Sequence, residues 1–268
     1  MSDVTVVVPW APGCGYREAA RAHVVQRWAS ARLPVVLGRA SADHPWRKAA
    51  AVADALTRVD AEILVIADAD VWTDGVFEAI DVVRAGAPWA VPHQKVLRLT
   101  PEATQSVFRG QPLVEGLPTQ EKPYKGVEGG GMVVLRRVDY LRAPLDHRFA
   151  GWGQEDESWA IAMRTVIGEP WRGEAPLFHL WHPPQKRRSR RFGSAESKNL
   201  FFRYLAAKGR PELMNQLLDE PRREVCHGAR HTARTEGEPA SPQPACPRRN
   251  PPHSGRRDPR ARTGGSDR

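Results

Sequence analysis

The chain predicts an α/β fold: a single domain whose mainly parallel central sheet is flanked by helices, followed by a disordered tail. Three observations predict it. Short apolar runs alternate with amphipathic stretches from Val4 onward, polar turn residues gather where the apolar runs end, and residues 220–268 lack the side chains a core needs.

Residues 4–9, VTVVVP, read as a buried strand closed by proline. Arg17 to Arg32 carries Ala20, Val24 and Trp28 at helical spacing. PVVLG (34–38) is a second short strand. HPWRKAAAVADALTRV follows, with Pro45 suited to a helix's first turn and Ala49, Val52, Ala53 and Leu56 along one face. A strand at 62–67 completes β-α-β-α-β, the signature of a parallel sheet covered by helices. In such sheets ligands bind beyond the carboxyl ends of the strands. Pro9 to Gly15, Gly38 to His44 and Asp68 to Asp70 fall on that edge.

The second half is less regular. Asp74 is suited to cap a helix through Arg84, WAVPH (89–93) resembles a strand, and Thr100 is suited to cap a short helix through Phe108. A polar loop (110–126) leads into GVEGGGMVVLRR, glycines followed by a strand. GWGQEDESWAIAMRTVIG (151–168) begins as a Gly-Trp loop and becomes a helix with Trp159, Met163 and Val166 on its inner side. PLFHLWHPP (176–184) is a strand stopped by two prolines, and a basic run, Lys186 to Arg191, comes after it. A helix near 195–208 and a short one at 211–219 close a domain spanning 1–219.

Of 268 residues, 41% are apolar and nine are tryptophan, enough for a real core. No stretch approaches the roughly 20 apolar residues that a bilayer crossing needs. The first apolar run is too short for a secretory leader and lacks a small-residue cleavage site. Cys14, Cys226 and Cys246 are few and widely spaced, which argues against a disulfide framework or a zinc ribbon and fits a cytoplasmic protein. The formal charge is +9, but residues 220–268 hold eleven arginines against six acidic residues and so carry more than half of it. After Glu220 that segment offers Val225 and no Leu, Ile, Phe, Met, Trp or Tyr. It cannot offset its ordering entropy, so a disordered, basic, Pro/Arg-rich tail is expected. The charge therefore marks a solvated tail more than a nucleic-acid partner.

EILVIADADVW (62–72) runs an apolar strand straight into Asp68 and Asp70. Alternate residues of an extended segment point the same way, so both carboxylates can face one site. Hard cations prefer carboxylate oxygen and share it with substrate phosphates; the plainer reading is a turn with solvated aspartates. Gly151-Trp152-Gly153-Gln154-Glu155-Asp156 also reads two ways. Acidic residues at a helix start gain from its dipole. Yet the glycines let a ligand approach the backbone, Trp152 offers a flat apolar face of the kind sugar rings stack on, and a carboxylate there can serve as general base. His179 and His182 stand three residues apart, so in an ideal strand they face opposite sides and share a site only if the chain bends near Pro183. The alternative is one core and one surface histidine. Lys186 to Arg191 is a solvated face, a nucleic-acid patch or, beside a metal, a cover over a diphosphate. PWAPGCGYRE near the start contains neither G-x-G-x-x-G nor G-x-x-x-x-G-K-[ST].

A strand ending in Pro, a strand ending in D-x-D, a Gly-rich strand, F-x-GWG-x-ED and a strand ending in histidine follow one another in that order. This order resembles the GT-A glycosyltransferases over roughly residues 4–190, in particular inverting enzymes of the β-galactosyltransferase and chondroitin-polymerase type. DHRFAGWGQEDESWAI (146–161) looks like their acceptor-side motif and is the most specific part of the match; D-x-D is the least. The resemblance implies a GT-A-like fold and a metal-dependent transfer, with inversion, from a nucleotide-sugar, a UDP-sugar above all. The acceptor would be a hydroxyl of a saccharide, a protein or another molecule. Asp70, helped by Asp68, would bind Mn2+ (or Mg2+) bridging the diphosphate, with His182 as the late metal ligand and His179 as a further candidate. Asp156 would be the catalytic base and Glu155 would hold the acceptor. Pro9, Arg17, Arg39, Asp43, Lys48 and Asp68 would meet the donor, while Gly130, Gly131, Trp152 and Gly153 would lie near the sugars. Where many members carry an acidic pair after the second strand to grip the base, this chain reads LGRASAD, with Arg39 and Asp43 as substitutes.

Breaking a sugar–phosphate bond develops positive charge at the anomeric carbon and negative charge on the departing diphosphate, and a cation stabilises the latter. Three rival readings remain. A sugar-nucleotide nucleotidyltransferase would carry a Gly-rich, Arg-containing loop after the first strand, of which APGCGYRE is a poor version. A metal-dependent nuclease would use Asp68, Asp70 and Glu155. A basic nucleic-acid-binding protein would use its acidic pairs as caps and turns.

Overall fold

The computed structural model describes residues 3–40, 45–151, 153–184 and 194–228, the last eight by backbone alone. The elements open with β1 (Val4–Trp10), α1 (Gly15–Ser30), β2 (Val35–Arg39), α2 (Lys48–Leu56), β3 (Ile63–Ala67), β4 (Val71–Trp72) and α3 (Val76–Arg84). The middle of the chain forms β5 (Trp89–Val91), β6 (Lys95–Arg98), α4 (Pro101–Phe108), β7 (Tyr124–Lys125), β8 (Met132–Arg136) and α5 (Arg137–Arg142). Then come α6 (Glu155–Val166), β9 (Trp171–Arg172), β10 (Pro176–His179), α7 (Ala195–Ala207) and α8 (Pro211–Gly228).

The main sheet has the order β2-β1-β3-β8-β5-β9, and a smaller one the order β4-β10-β6-β7. One row of partners crosses the main sheet: Val35, Val6, Val65, Val134, Ala90 and Trp171. Five of the six strands run the same way; β8 alone is reversed, pairing antiparallel with both neighbours. The sheet is therefore mainly parallel, as the alternation of strands and helices requires.

Side-chain alternation assigns the two faces. Val6, Val65, Val134 and Ala90 join one core with Ala20, Val24 and Trp28 of α1 and with residues of α3 and α4. Their neighbours Val7, Ile66 and Val133 enter a second core with α2, α5, α6, α7 and α8. Both faces are covered, so these strands are mostly apolar on both sides, Thr5 excepted within β1, instead of alternating with polar residues.

Thr100 caps α4 as expected, its side chain accepting from the Ala103 N–H at 3.2 Å. Other expectations are corrected. α2 begins at Lys48, not at Pro45, and buries Ala49, Ala51, Val52 and Ala55 while Ala53 is exposed. The reason is close packing on β2, because a Cβ on Gly38 would collide with the Ala51 carbonyl. Asp74 does not cap α3; its carboxylate accepts from Trp72 Nε1 at 2.8 Å, and the Thr73 hydroxyl accepts from the Gly75 N–H instead. α8 runs on past residue 219, and Glu220 pairs there with Arg148 and Arg203. Residues 229–268 and the basic run 186–191 lie outside the described residues. Among the described residues, no helix is long and apolar enough to cross a membrane.

Candidate functional site

β1, β3 and β5 end at one edge of the main sheet, where Pro9, Asp68 and His93 are found. The reversal of β8 brings its lead-in, Gly129–Gly131, to that same edge, and the Asp68 N–H donates to the Gly131 carbonyl at 2.8 Å. β10 arrives from the smaller sheet, with the Leu180 N–H donating to the Asp70 carbonyl at 2.8 Å. The first turn of α6 adds Glu155 and Asp156. Together they enclose a cleft of about 280 Å³, close to the lower end of small-molecule sites.

One cluster in it surrounds Asp70, which is 3% exposed. His182 Nε2 lies 3.2 Å from its carboxylate, His179 Nε2 3.9 Å and Arg17 Nε 3.7 Å. β10 stops at His179, so the chain is free to turn and both imidazoles face the same carboxylate, their ring centres 5.2 Å apart. Each Nδ1 sits against a backbone carbonyl, Leu180 for His179 at 3.0 Å and Pro183 for His182 at 2.8 Å. A carbonyl can only accept, so each Nδ1 donates and each Nε2 is left toward Asp70, where it donates to the carboxylate when the ring is protonated and offers its lone pair to a metal when it is not. Burial pushes the Asp70 carboxyl up, but His179, His182 and Arg17 outweigh it and hold it well below the usual carboxylate range. Burial lowers His179 despite Asp70 beside it.

These residues fit a divalent cation. Ligand atoms of Asp70, His179 and His182 all lie within 4.8 Å of one another, and converging lone pairs repel unless a positive charge sits among them. Two imidazoles with one carboxylate suit a transition metal such as Mn2+ better than Mg2+, which prefers oxygen alone.

The second cluster is built on Lys48, whose side chain is 7% exposed. Its ammonium lies 2.9 Å from Asp68 and 2.8 Å from Asp156. Asp68 thus pairs with Lys48 and stands outside the Asp70–His179–His182 group, although both aspartates line the cleft. The chain leaves the extended conformation at Ala69, so the alternation that would aim both carboxylates at one ion no longer applies. Burial raises Asp156, with Lys48 opposing it. Glu155 is pushed up to about 7 by burial and then by Asp156, while its carboxylate accepts from the Gly153 N–H at 3.0 Å. Between them runs the glycine strip. A Cβ on Gly129 would strike the Asp156 carbonyl, and one on Gly130 would stand 3.1 Å from Asp156 Oδ2.

Solved structures share part of this outline. β-1,4-Galactosyltransferase 7 from Drosophila, solved as a mutant with manganese, UDP-Gal and xylobiose, matches 72% of this chain over 68% of its own at 11% identity, TM-score 0.36. Glucosyl-3-phosphoglycerate synthase from Mycobacterium tuberculosis, solved with Mn2+, UDP and glucosyl-3-phosphoglycerate, matches 76% over 78% at 13% identity, TM-score 0.41. The bifunctional IspDF from Campylobacter jejuni matches 65% over 50% at 9% identity, TM-score 0.33. No protein-family model and no curated protein matches the chain.

Of the residues singled out in the sequence, Pro9, Arg17, Lys48, Asp68, Asp70 and His179 line the cleft, as do Gly130, Gly131, Gly153, Glu155 and Asp156. His182 stands behind, against Asp70. Arg39 does not line it, since its N–H donates to Asp54 at 2.8 Å and the end of β2 is drawn onto α2. Asp43 and Trp152 lie outside the described residues. Sequence reasoning missed Trp46, His93, Arg98 and Tyr124 in the lining. Arg98 and Tyr124 come from β6 and β7, strands too short for alternation to reveal, and are joined by a 2.8 Å hydrogen bond from Nε to the phenol oxygen. For His93 the signal was a histidine just past a strand end, beside a proline.

Proposed function

We propose that the chain is a GT-A-like, metal-dependent glycosyltransferase of the hexosyltransferase type, moving a sugar from a UDP-sugar to an acceptor hydroxyl with inversion. The observation that carries this reading is the presence of two unlike clusters in one cleft: Asp70 with two imidazoles, and Asp156 with Lys48. Asp70, His179 and His182 would hold Mn2+, which when bound supplies positive charge for a departing diphosphate. Arg17, at Asp70, adds a fixed guanidinium suited to phosphate oxygens. Asp156 takes the proton of the acceptor hydroxyl, and Lys48 opposes the upward push that burial gives that carboxylate. Glu155, held by Gly153, orients the acceptor. A base separate from the metal cluster supports inversion. Asp68 anchors Lys48. The acceptor class is a hydroxyl of a saccharide, a protein or another molecule. Three widely spaced cysteines support a cytoplasmic setting.

The test is turnover of UDP-sugars with Mn2+ and candidate acceptors, in the wild type and in Asp156→Asn. The variant is expected to bind donor normally and lose transfer. Transfer at the wild-type rate removes Asp156 as base, and a wild-type chain that binds no sugar nucleotide removes the whole reading.

A further inference from the structure

His93 is fully buried, and among the described residues neither of its ring nitrogens has a hydrogen-bond partner. Buried polar atoms are nearly always paired, so an imidazole left with two open nitrogens calls for an occupant. Arg172 holds this residue through the backbone, Nη1 donating to the His93 carbonyl at 3.0 Å, which leaves the ring uncommitted.

The ring lines the cleft behind glycines. A Cβ on Gly126 would lie 3.1 Å from its Nε2, and one on Gly131 would lie 3.6 Å from its Cε1. The next glycine, Gly130, faces Asp156 in the same way. Imidazole and carboxylate thus flank one strip of side-chain-free backbone, and a ligand resting on the strip lies beside Asp156 and reaches the buried ring as the strip at Gly126 gives way. Gly126 follows β7, an edge strand that pairs with β6 alone among the described strands and so can yield as a ligand enters.

We propose that His93 is a specificity-determining residue that hydrogen-bonds a hydroxyl of the transferred sugar. This deepens the transferase reading and rests on it. A neutral imidazole offers one donor and one acceptor, which is what a hydroxyl offers in return. Burial, reinforced by Arg172, pushes the ring down to about 3, so it carries no charge with which to attract a phosphate. Val96 and Leu177 pack close to the same glycines and Arg172 Nη2 donates to the Gly126 carbonyl at 3.4 Å, so among the described residues the two imidazole nitrogens are the polar atoms there still without a partner.

Isothermal titration in Mn2+ tests this with UDP alone and with UDP-hexoses that differ in one hydroxyl. His93→Phe is expected to bind UDP within about twofold of wild type, to bind the preferred UDP-hexose at least tenfold more weakly, and to lose discrimination among the epimers. Gly126→Ala, which retains the imidazole and sets a methyl 3.1 Å from Nε2, with the Val96 side chain at 2.8 Å shifting to admit it, is expected to reproduce the selective loss; it keeps the test open should His93→Phe fold poorly. Unchanged sugar selectivity in both variants overturns the inference, as does an equal loss for UDP and UDP-hexose, which marks a scaffold role. A wild type that binds UDP-hexoses while both variants keep its selectivity sinks this inference alone. A wild type that binds none sinks the transferase reading, and the inference with it.

Discussion

Lys48 Nζ lies 2.8 Å from Asp156 Oδ1, joining residues 108 apart in the chain, and the same ammonium lies 2.9 Å from Asp68. One residue begins α2 and the other is in the first turn of α6, so a single cation ties two helix starts to the end of β3. Burial would lower the ammonium, but the two carboxylates outweigh it and raise it well above the usual lysine range.

Lys48→Met removes the charge that opposes the burial of Asp156, so that carboxylate titrates higher. The low-pH limb of the rate profile then moves to higher pH, and each unit of movement costs about tenfold in rate on that limb. Stability falls by about 2 kcal/mol, moderated because Asp68 and Asp156 keep 33% and 32% of their side chains in solvent. A pH–rate profile with an unmoved limb rejects this role for Lys48.

If Asp70, His179 and His182 hold Mn2+ as proposed, the ion is expected to raise the melting temperature, because a ligand of the native state alone stabilises it. The gain is about 2.7 kcal/mol at a hundredfold excess over Kd. Asp70→Asn and His182→Ala lose most of that gain, and a chelator reverses it in the wild type. Thermal melts with and without Mn2+ decide the matter; equal shifts in wild type and variants place the ion elsewhere.

Glu155, raised from 4.5 to about 7, makes metal-free stability fall with pH. Between those values the folded chain holds a proton that the unfolded chain has released. The stabilisation is complete below the unfolded value, declines as pH rises, and is gone above the folded one. Its size is about 2 kcal/mol after allowance for partial exposure. Urea unfolding between pH 4.5 and 8 should show this slope in the wild type and a flatter one in Glu155→Gln. Parallel slopes contradict it.

Gly129→Ala drives a methyl into the Asp156 carbonyl at the start of α6. Overpacking of that kind costs about 1–3 kcal/mol, and displacement of Asp156 lowers kcat as well. Gly15→Ala meets nothing within 4 Å and is the neutral control. Matching melting temperatures for the two variants would mean that α6 has room to shift.

Much of the fold was legible because its cause is local. Ala20, Val24 and Trp28 are one helical turn apart and reach the same core, and Val6 and Val7 part to opposite faces because successive strand residues must. Thr100 announced α4 through a cap that acts within three residues. Errors arose where a partner from elsewhere intervened. Ala53 fits a helical face on paper, but the press of β2 through Gly38 selects Ala51 and Ala55 instead. Asp74 has the chemistry of a cap and spends it on Trp72. Asp68 and Asp70 do line one cleft, as alternation suggested, but with the turn at Ala69–Asp70 between them one meets Lys48 and the other the histidines.

The order of residues alone determined the longer strands of the main sheet, which of their faces are apolar, and that carboxylates, glycines and histidines lie at segment ends; the two- to four-residue strands β4, β6, β7 and β9 escaped it. Tertiary structure alone decided that β8 enters reversed and delivers Gly129–Gly131 beside Asp68, that Lys48 answers Asp156 from across the sheet edge, and that His93 is enclosed with neither nitrogen partnered among the described residues. The difference is one of range. Spacing along the backbone settles the direction in which a side chain leaves its own segment, whereas the group it meets depends on strand order, which comes from packing whole faces together.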